Sequence, residues 1–200
     1  MQTLLRWIII ALLASIYVAT LFAVLHPHVS PAYKAYYIDL ASSDWDPVHY
    51  DSSPEQGITF SRKGLPDWVA STRGLSIRDD WGRWTDSDLG TVAGLAFTQA
   101  FNGPLCLDFT VRSVSSMVGK TFAVRMGNET KILQVATTDL NEYRVQFTHV
   151  RDANKLDVVL PGELPPAVPK TDQRRLGLNL ATMRLIPGTC AAVASPSVTR

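Results

Sequence analysis

The chain has 200 residues, enough for one domain of ordinary size and an appendage. Its 19 basic residues face 18 acidic ones, a formal charge of +1 with no long basic run, whereas a nucleic-acid binder carries a basic excess that displaces counterions from phosphate, so nucleic acid is not expected as a partner. The two cysteines, Cys106 and Cys190, lack C-x-x-C spacing and make neither a zinc site nor a redox motif.

The first element in chain order is Trp7 to Leu25, nineteen residues without a charge. As a helix it would be about 28 Å long, against a hydrocarbon core of about 30 Å. Arg6 stands before it, and the next basic residue is Lys34. The positive-inside rule therefore predicts a single pass with a cytoplasmic N-terminus and an exported bulk. The run ends in Leu25-His26-Pro27-His28, with no small-x-small cleavage pattern, which predicts an uncleaved anchor over residues 1–25. Residues 26–56 have no clean period and carry Tyr33, Tyr36 and Tyr37, whose amphipathic rings suit the headgroup level. They are expected to form a stalk. His26 and His28 have no further ligands nearby, so no metal site is expected there.

From Ile58 onward the pattern is β. Short strands are expected at Ile58–Phe60, Thr91–Phe97 and Leu105–Ser113, with a turn at Leu65–Val69. In the last of these strands Leu105, Leu107, Phe109 and Val111 share one face and Asp108, Thr110 and Arg112 the other, the period of a half-buried strand. Phe122, Val124 and Met126 repeat it, and Gly127-Asn128 signals a tight hairpin into Leu133 and Val135. Tyr143, Val145 and Phe147 alternate with Arg144, Gln146 and Thr148. A turn is expected at Asp152-Ala153-Asn154 before Leu156, Val158 and Leu160. Four prolines between Pro161 and Pro169 exclude a sheet interior and predict an extended surface connection. In the last strand, from Arg174, the alternation slips between Leu180 and Met183, which predicts a bulge. About eight short strands without a long amphipathic helix make an all-β antiparallel sandwich or jelly roll, over residues 57–190, with a flexible tail at 191–200. Cys106 starts one strand and Cys190 follows another. If these are antiparallel neighbours the two sulfurs meet, and a disulfide is expected.

The densest chemistry lies in Gly74–Asp86, with Trp81, Arg83, Trp84 and three aspartates on what reads as a loop. Indole stacks on the apolar face of a pyranose, and guanidinium and carboxylate groups hydrogen-bond hydroxyls or hold anionic substituents. Trp81, Arg83, Trp84 and Asp86, with Arg174 and Arg175, are therefore candidates for glycan contact. The alternative stays open: the tryptophans pack at the sandwich edge and Arg83 pairs with Asp86 or Asp172 as a structural clasp. Asp79, Asp80, Asp86 and Asp88 match no calcium loop, and turn aspartates cap their own backbone, so no metal is expected. No G-x-S-x-G, phosphate loop or His-centred base is present, and no catalytic residue or cofactor is assigned.

Taken in order, Ile58-Thr59-Phe60, Gly64-Leu65-Pro66-Asp67, Gly74-Leu75-Ser76, the Trp81–Asp86 block and Asp172–Leu178 resemble the accessory β-sandwich domain found C-terminal to membrane phosphoglycerol transferases acting on periplasmic glucans. Similar domains follow multi-pass glycosyltransferases in Gram-negative bacteria. The resemblance covers roughly residues 57–188 and implies a bacterial inner membrane for the anchor, with the domain in the periplasm. It does not extend to a catalytic domain with its metal site and nucleophile, so it implies an accessory role, not transferase activity. Two roles follow from it: contact with an envelope glycan or its phosphoglycerol-modified form, or support of a separately encoded membrane glycosyltransferase or phosphoglycerol transferase.

Overall fold

The computed structural model describes residues 2–25, 48–162, 164–166 and 174–190. Most of the expected stalk, part of the proline-rich connection and the expected tail lie outside them, as do His26, His28, the three stalk tyrosines and Asp172. Helix α1 runs Gln2–Leu25. Counted over the described residues, no helix is long and apolar enough to cross a membrane.

The remainder is β, in eleven segments among the described residues: β1 (His49–Tyr50), β2 (Ile58–Thr59), β3 (Leu65–Pro66), β4 (Val69–Arg73), β5 (Leu75–Arg78), β6 (Arg83–Asp86), β7 (Val92–Ser113), β8 (Thr121–Met126), β9 (Glu129–Gln134), β10 (Asn141–Val159) and β11 (Leu176–Pro187). Segments β1 and β3 pair in parallel. The rest form one sheet in the order β5-β6-β11-β7-β10-β8-β9, with β2 on β11 and β4 on β7.

This sheet becomes sandwich-like because its two central strands serve both layers. The C-terminal half of β7 pairs with β11 and with the start of β10, while its N-terminal half pairs with β4 and the end of β10. Thr91–Phe97 and Leu105–Ser113 are thus parts of one 22-residue strand, not two strands. The turn expected at Asp152–Asn154 is likewise absent. Strand β10 continues through it with register shifts between Phe147 and Lys155, and Asp152 takes a φ of 49°. Extra residues on one strand bend it and increase its twist, which carries β10 from one layer to the other without a loop. The expected turn at Leu65–Val69 instead supplies β3 and the start of β4.

The hairpin at Gly127-Asn128 forms as expected, with Met126 opposite Glu129 and Gly127 at φ 58°. The slip in β11 is a register shift between Leu180 and Thr182. Inward residues of both layers build one core. Phe109 stacks on Tyr143 at 5.1 Å, and Phe122 meets Tyr143 edge-on at 5.4 Å. Cys106 on β7 is bonded to Cys190, just past β11, across a separation of 84 residues.

Candidate functional site

Gly74–Asp86 is a β5–β6 hairpin rather than a loop, because β6 pairs along β11: Trp84 lies opposite Asn179, and Arg83 opposite Leu180. Asp79 organises its turn. One carboxylate oxygen accepts from the N–H groups of Trp81 and Gly82, both at 2.9 Å, the local bonding that suits aspartate to turns. The other accepts from the Trp84 indole N–H at 2.7 Å. Gly82 has φ 150°, and a Cβ there would come within 2.0 Å of the Leu180 carbonyl oxygen, so only glycine lets the hairpin lie this close to β11.

The six sequence candidates separate by burial. Arg83 is 3% exposed and Asp86 is fully buried. Asp86 caps the Asp88 N–H at 3.1 Å, and the preceding residue, Thr85, accepts from the Leu178 N–H at 2.8 Å. Trp84 is half-buried with its N–H spent on Asp79. Arg174 donates to Ser76 Oγ at 2.9 Å, and Arg175 pairs with Asp88 at 3.3 Å while its carbonyl accepts from Ser87. The two sequence blocks thus meet across β6 and β11, and most of their polar groups are committed to that seam. Trp81 is different. It is 56% exposed, and the Arg112 guanidinium carbon lies 4.0 Å from its ring centroid.

Arg112 leads onto the outer face of the first layer. The register aligns polar side chains in rows across three strands: Asn179 beside Arg112; Thr182, Thr110 and Glu142; then Arg184, Asp108 and Arg144. Arg144 makes a two-pronged contact with Asp108 at 2.7 and 3.0 Å, and Arg184 adds a third bond at 2.9 Å. Hydrogen bonding from Arg144 holds the Asp108 carboxyl below the usual carboxylate range against the opposing pull of partial burial, and Arg184 reinforces it. The Thr110 and Thr182 hydroxyls are 2.7 Å apart. The threonine row and the Arg184–Asp108–Arg144 row line an open cleft of about 490 Å³. A second arginine–aspartate–arginine set, Arg73, Asp157 and Arg125, lies on the other layer beside a cleft of only about 150 Å³.

Sequence reasoning placed Asp108, Thr110, Arg112 and Arg144 on polar strand faces but did not select them as a site. Alternation was the signal present for them. Arg184 and Thr182 join the group only through the register of β11, after its bulge. Among the described residues no group of three or more His, Cys, Asp or Glu side chains could hold a metal ion. The exposed face offers indole, guanidinium, hydroxyl and carboxylate groups in rows, a set suited to a polyhydroxylated ligand.

Residues 44–187 match the family model described as "Domain of unknown function (DUF7024)". Over 135 residues the chain is 25% identical to the C-terminal region of Phosphoglycerol transferase I from Salmonella typhimurium (strain LT2), and equally to that from Salmonella typhi. The match covers 64% of this chain, and the chain spans 17% of the length of these curated relatives. Among solved structures, a mutant of the CBM29-2 carbohydrate-binding module is similar at 12% identity and a TM-score of 0.44, over 70% of this chain and 96% of that one. A ruminal GH26 endo-β-1,4-mannanase is similar at 14% identity and a TM-score of 0.40, over 83% and 29%.

Proposed function

We propose that this chain, which belongs to the DUF7024 family, is a membrane-anchored, non-catalytic module accessory to envelope glycan synthesis or phosphoglycerol modification, and that it contacts glycan through the outer face of β11, β7 and β10. The observation that carries this reading is the exposed Trp81 standing at the end of the polar rows that run from Arg112 to Asp108. An indole covers the apolar face of a sugar ring while guanidinium and hydroxyl groups bond its hydroxyls. The relatives' name supplies the setting of phosphoglycerol transfer.

Anchoring rests on α1, whose exposed side chains include Trp7, Ile8, Ile9, Ile10, Leu12, Leu13 and Ile16. A helix apolar on every side belongs in lipid or in a protein core. The proposed topology, a cytoplasmic N-terminus behind Arg6 and the sandwich, residues 57–190, in the periplasm, takes all nineteen uncharged residues from Trp7 to Leu25 as the span, counted on the sequence.

The test is binding of neutral gluco- and manno-oligosaccharides to the full chain in detergent micelles. Trp81→Ala is expected to weaken binding about tenfold with an unchanged melting temperature. Binding to no glucan or mannan, or indifference to Trp81→Ala, would sink the reading. A second reading, support of a separate membrane transferase, draws on β9, the strand at one end of the sheet order, where Ile132 is 73% exposed. Cross-linking in native membranes tests it, and recovery of no transferase counts against it.

A further inference from the structure

The charges on the outer face do not balance. Three guanidinium groups, from Arg112, Arg144 and Arg184, stand in rows with two carboxylates, from Asp108 and Glu142. Arg144 and Arg184 are both committed to Asp108. Arg112 is half-buried, and among the described residues no carboxylate oxygen lies within ion-pair distance of it. The nearby carboxylate of the hairpin, on Asp79, is already held by Trp81, Gly82 and Trp84.

What holds Arg112 is the Trp81 ring, 4.0 Å from the guanidinium carbon. A guanidinium that lies face-on to an aromatic ring keeps its N–H edge to donate in its own plane. A planar donor fork fixed before the ligand arrives is the arrangement that recognises a carboxylate or phosphate group, and little rotamer freedom remains to be lost on binding. Along β7, alternate residues on one face are separated by about 7 Å, so Arg112 stands about 7 Å from Thr110 and about 13 Å from Asp108 at the backbone. A sugar chain lying on the threonine row would therefore bring a charged substituent at its end to Arg112.

We infer that Arg112 and Trp81 form a station for an anionic substituent, a phosphodiester or a carboxylate, carried by the oligosaccharide that lies on this face. The inference rests on the glycan reading above and adds that the site prefers charged over neutral glycan. In this arrangement Trp81 serves twice: one ring face orients Arg112, and the exposed remainder meets the sugar.

The experiment measures binding to the full chain in detergent micelles with three probes: a neutral gluco-oligosaccharide, the same oligosaccharide bearing a glycerophosphoryl ester, and a uronate-containing oligosaccharide. At low salt at least one charged probe is expected to bind about tenfold more tightly than the neutral one, and the preference is expected to shrink as ionic strength rises. Whichever charged probe is preferred identifies the substituent. Arg112→Gln is expected to abolish the preference, bringing the ratio of charged to neutral binding to about one whatever its effect on neutral binding itself. Equal binding of charged and neutral probes to the wild-type chain overturns the inference and leaves the glycan reading standing. A preference that survives in both Arg112→Gln and Arg112→Glu overturns it as well. Failure of all three probes overturns both readings. The wild-type comparison and its salt dependence need no variant, so the outcome does not depend on how Arg112→Gln folds.

Discussion

Asp108 is the residue through which the outer face is held together, since its two oxygens take three bonds from arginines on the strands at either side. Its carboxyl is held below the usual range, chiefly by the bond from Arg144. A group whose folded pKa is depressed stabilises the fold above its unfolded pKa, and that contribution is lost as pH falls through the folded value. Asp108→Asn is therefore expected to cost about 1–2 kcal/mol near neutral pH, the range for charge-assisted bonds reduced by partial exposure. The gap from wild type should begin to narrow below about pH 4, where the unfolded carboxyl protonates, and close only at still lower pH, below the depressed folded value. Thermal denaturation near neutral pH and at that lower pH checks this, and a gap of equal size at both would exclude charge as the cause. Alternation alone marked Asp108 as outward-facing; that two arginines flank it depends on strands that pair from 36 and 76 residues away.

The elements that decide the architecture are the two long strands. Both β7 and β10 cross from one layer to the other, so the layers cannot separate without bending or breaking a strand that belongs to each. The bond between Cys106 and Cys190 fastens the end of β11 to the middle of β7, beside the arginine cluster. Closing a loop of 84 residues contributes about 4.5 kcal/mol in the chain-entropy account. The double variant Cys106→Ser/Cys190→Ser is expected to lose stability of that order in chemical denaturation, and reductant should then have no further effect on it. A variant as stable as the oxidised wild type would show that β11 is held by its pairing alone. At this scale the Gly127-Asn128 hairpin and the β11 bulge were legible, because both are set by a few neighbouring residues. The β5–β6 hairpin was not. Its own residues, Arg78-Asp79-Asp80, break any alternation, and its strands exist because β11 lies beside them.

Across the whole molecule, one apolar core fills the space between the layers, and α1 stands apart in composition, with exposed apolar side chains from Trp7 onward. On the proposed anchoring, the full chain is expected to stay with the membrane fraction through an alkaline carbonate wash and to be released by detergent. Release by carbonate alone would count against an anchor. Loss of the anchor should leave the rows from Arg112 to Asp108 unchanged, because every contact within them comes from β7, β10, β11 and the β5–β6 hairpin.

The sequence by itself determined the all-β class, the position of an apolar N-terminal helix, and the grouping of the Trp81–Asp86 block with Arg174 and Arg175 as one candidate set. Each of these follows from local period, local composition or a resemblance carried by motifs in order. Only the tertiary structure decided that Arg83 and Asp86 are buried in the seam, that Trp81 faces outward, and that Arg112, Thr110 and Asp108 share a face with Arg184. Period two tells which side chains of a strand point the same way. It does not tell which strands lie alongside, and neighbouring strands set both the burial of a charged residue and the company it keeps.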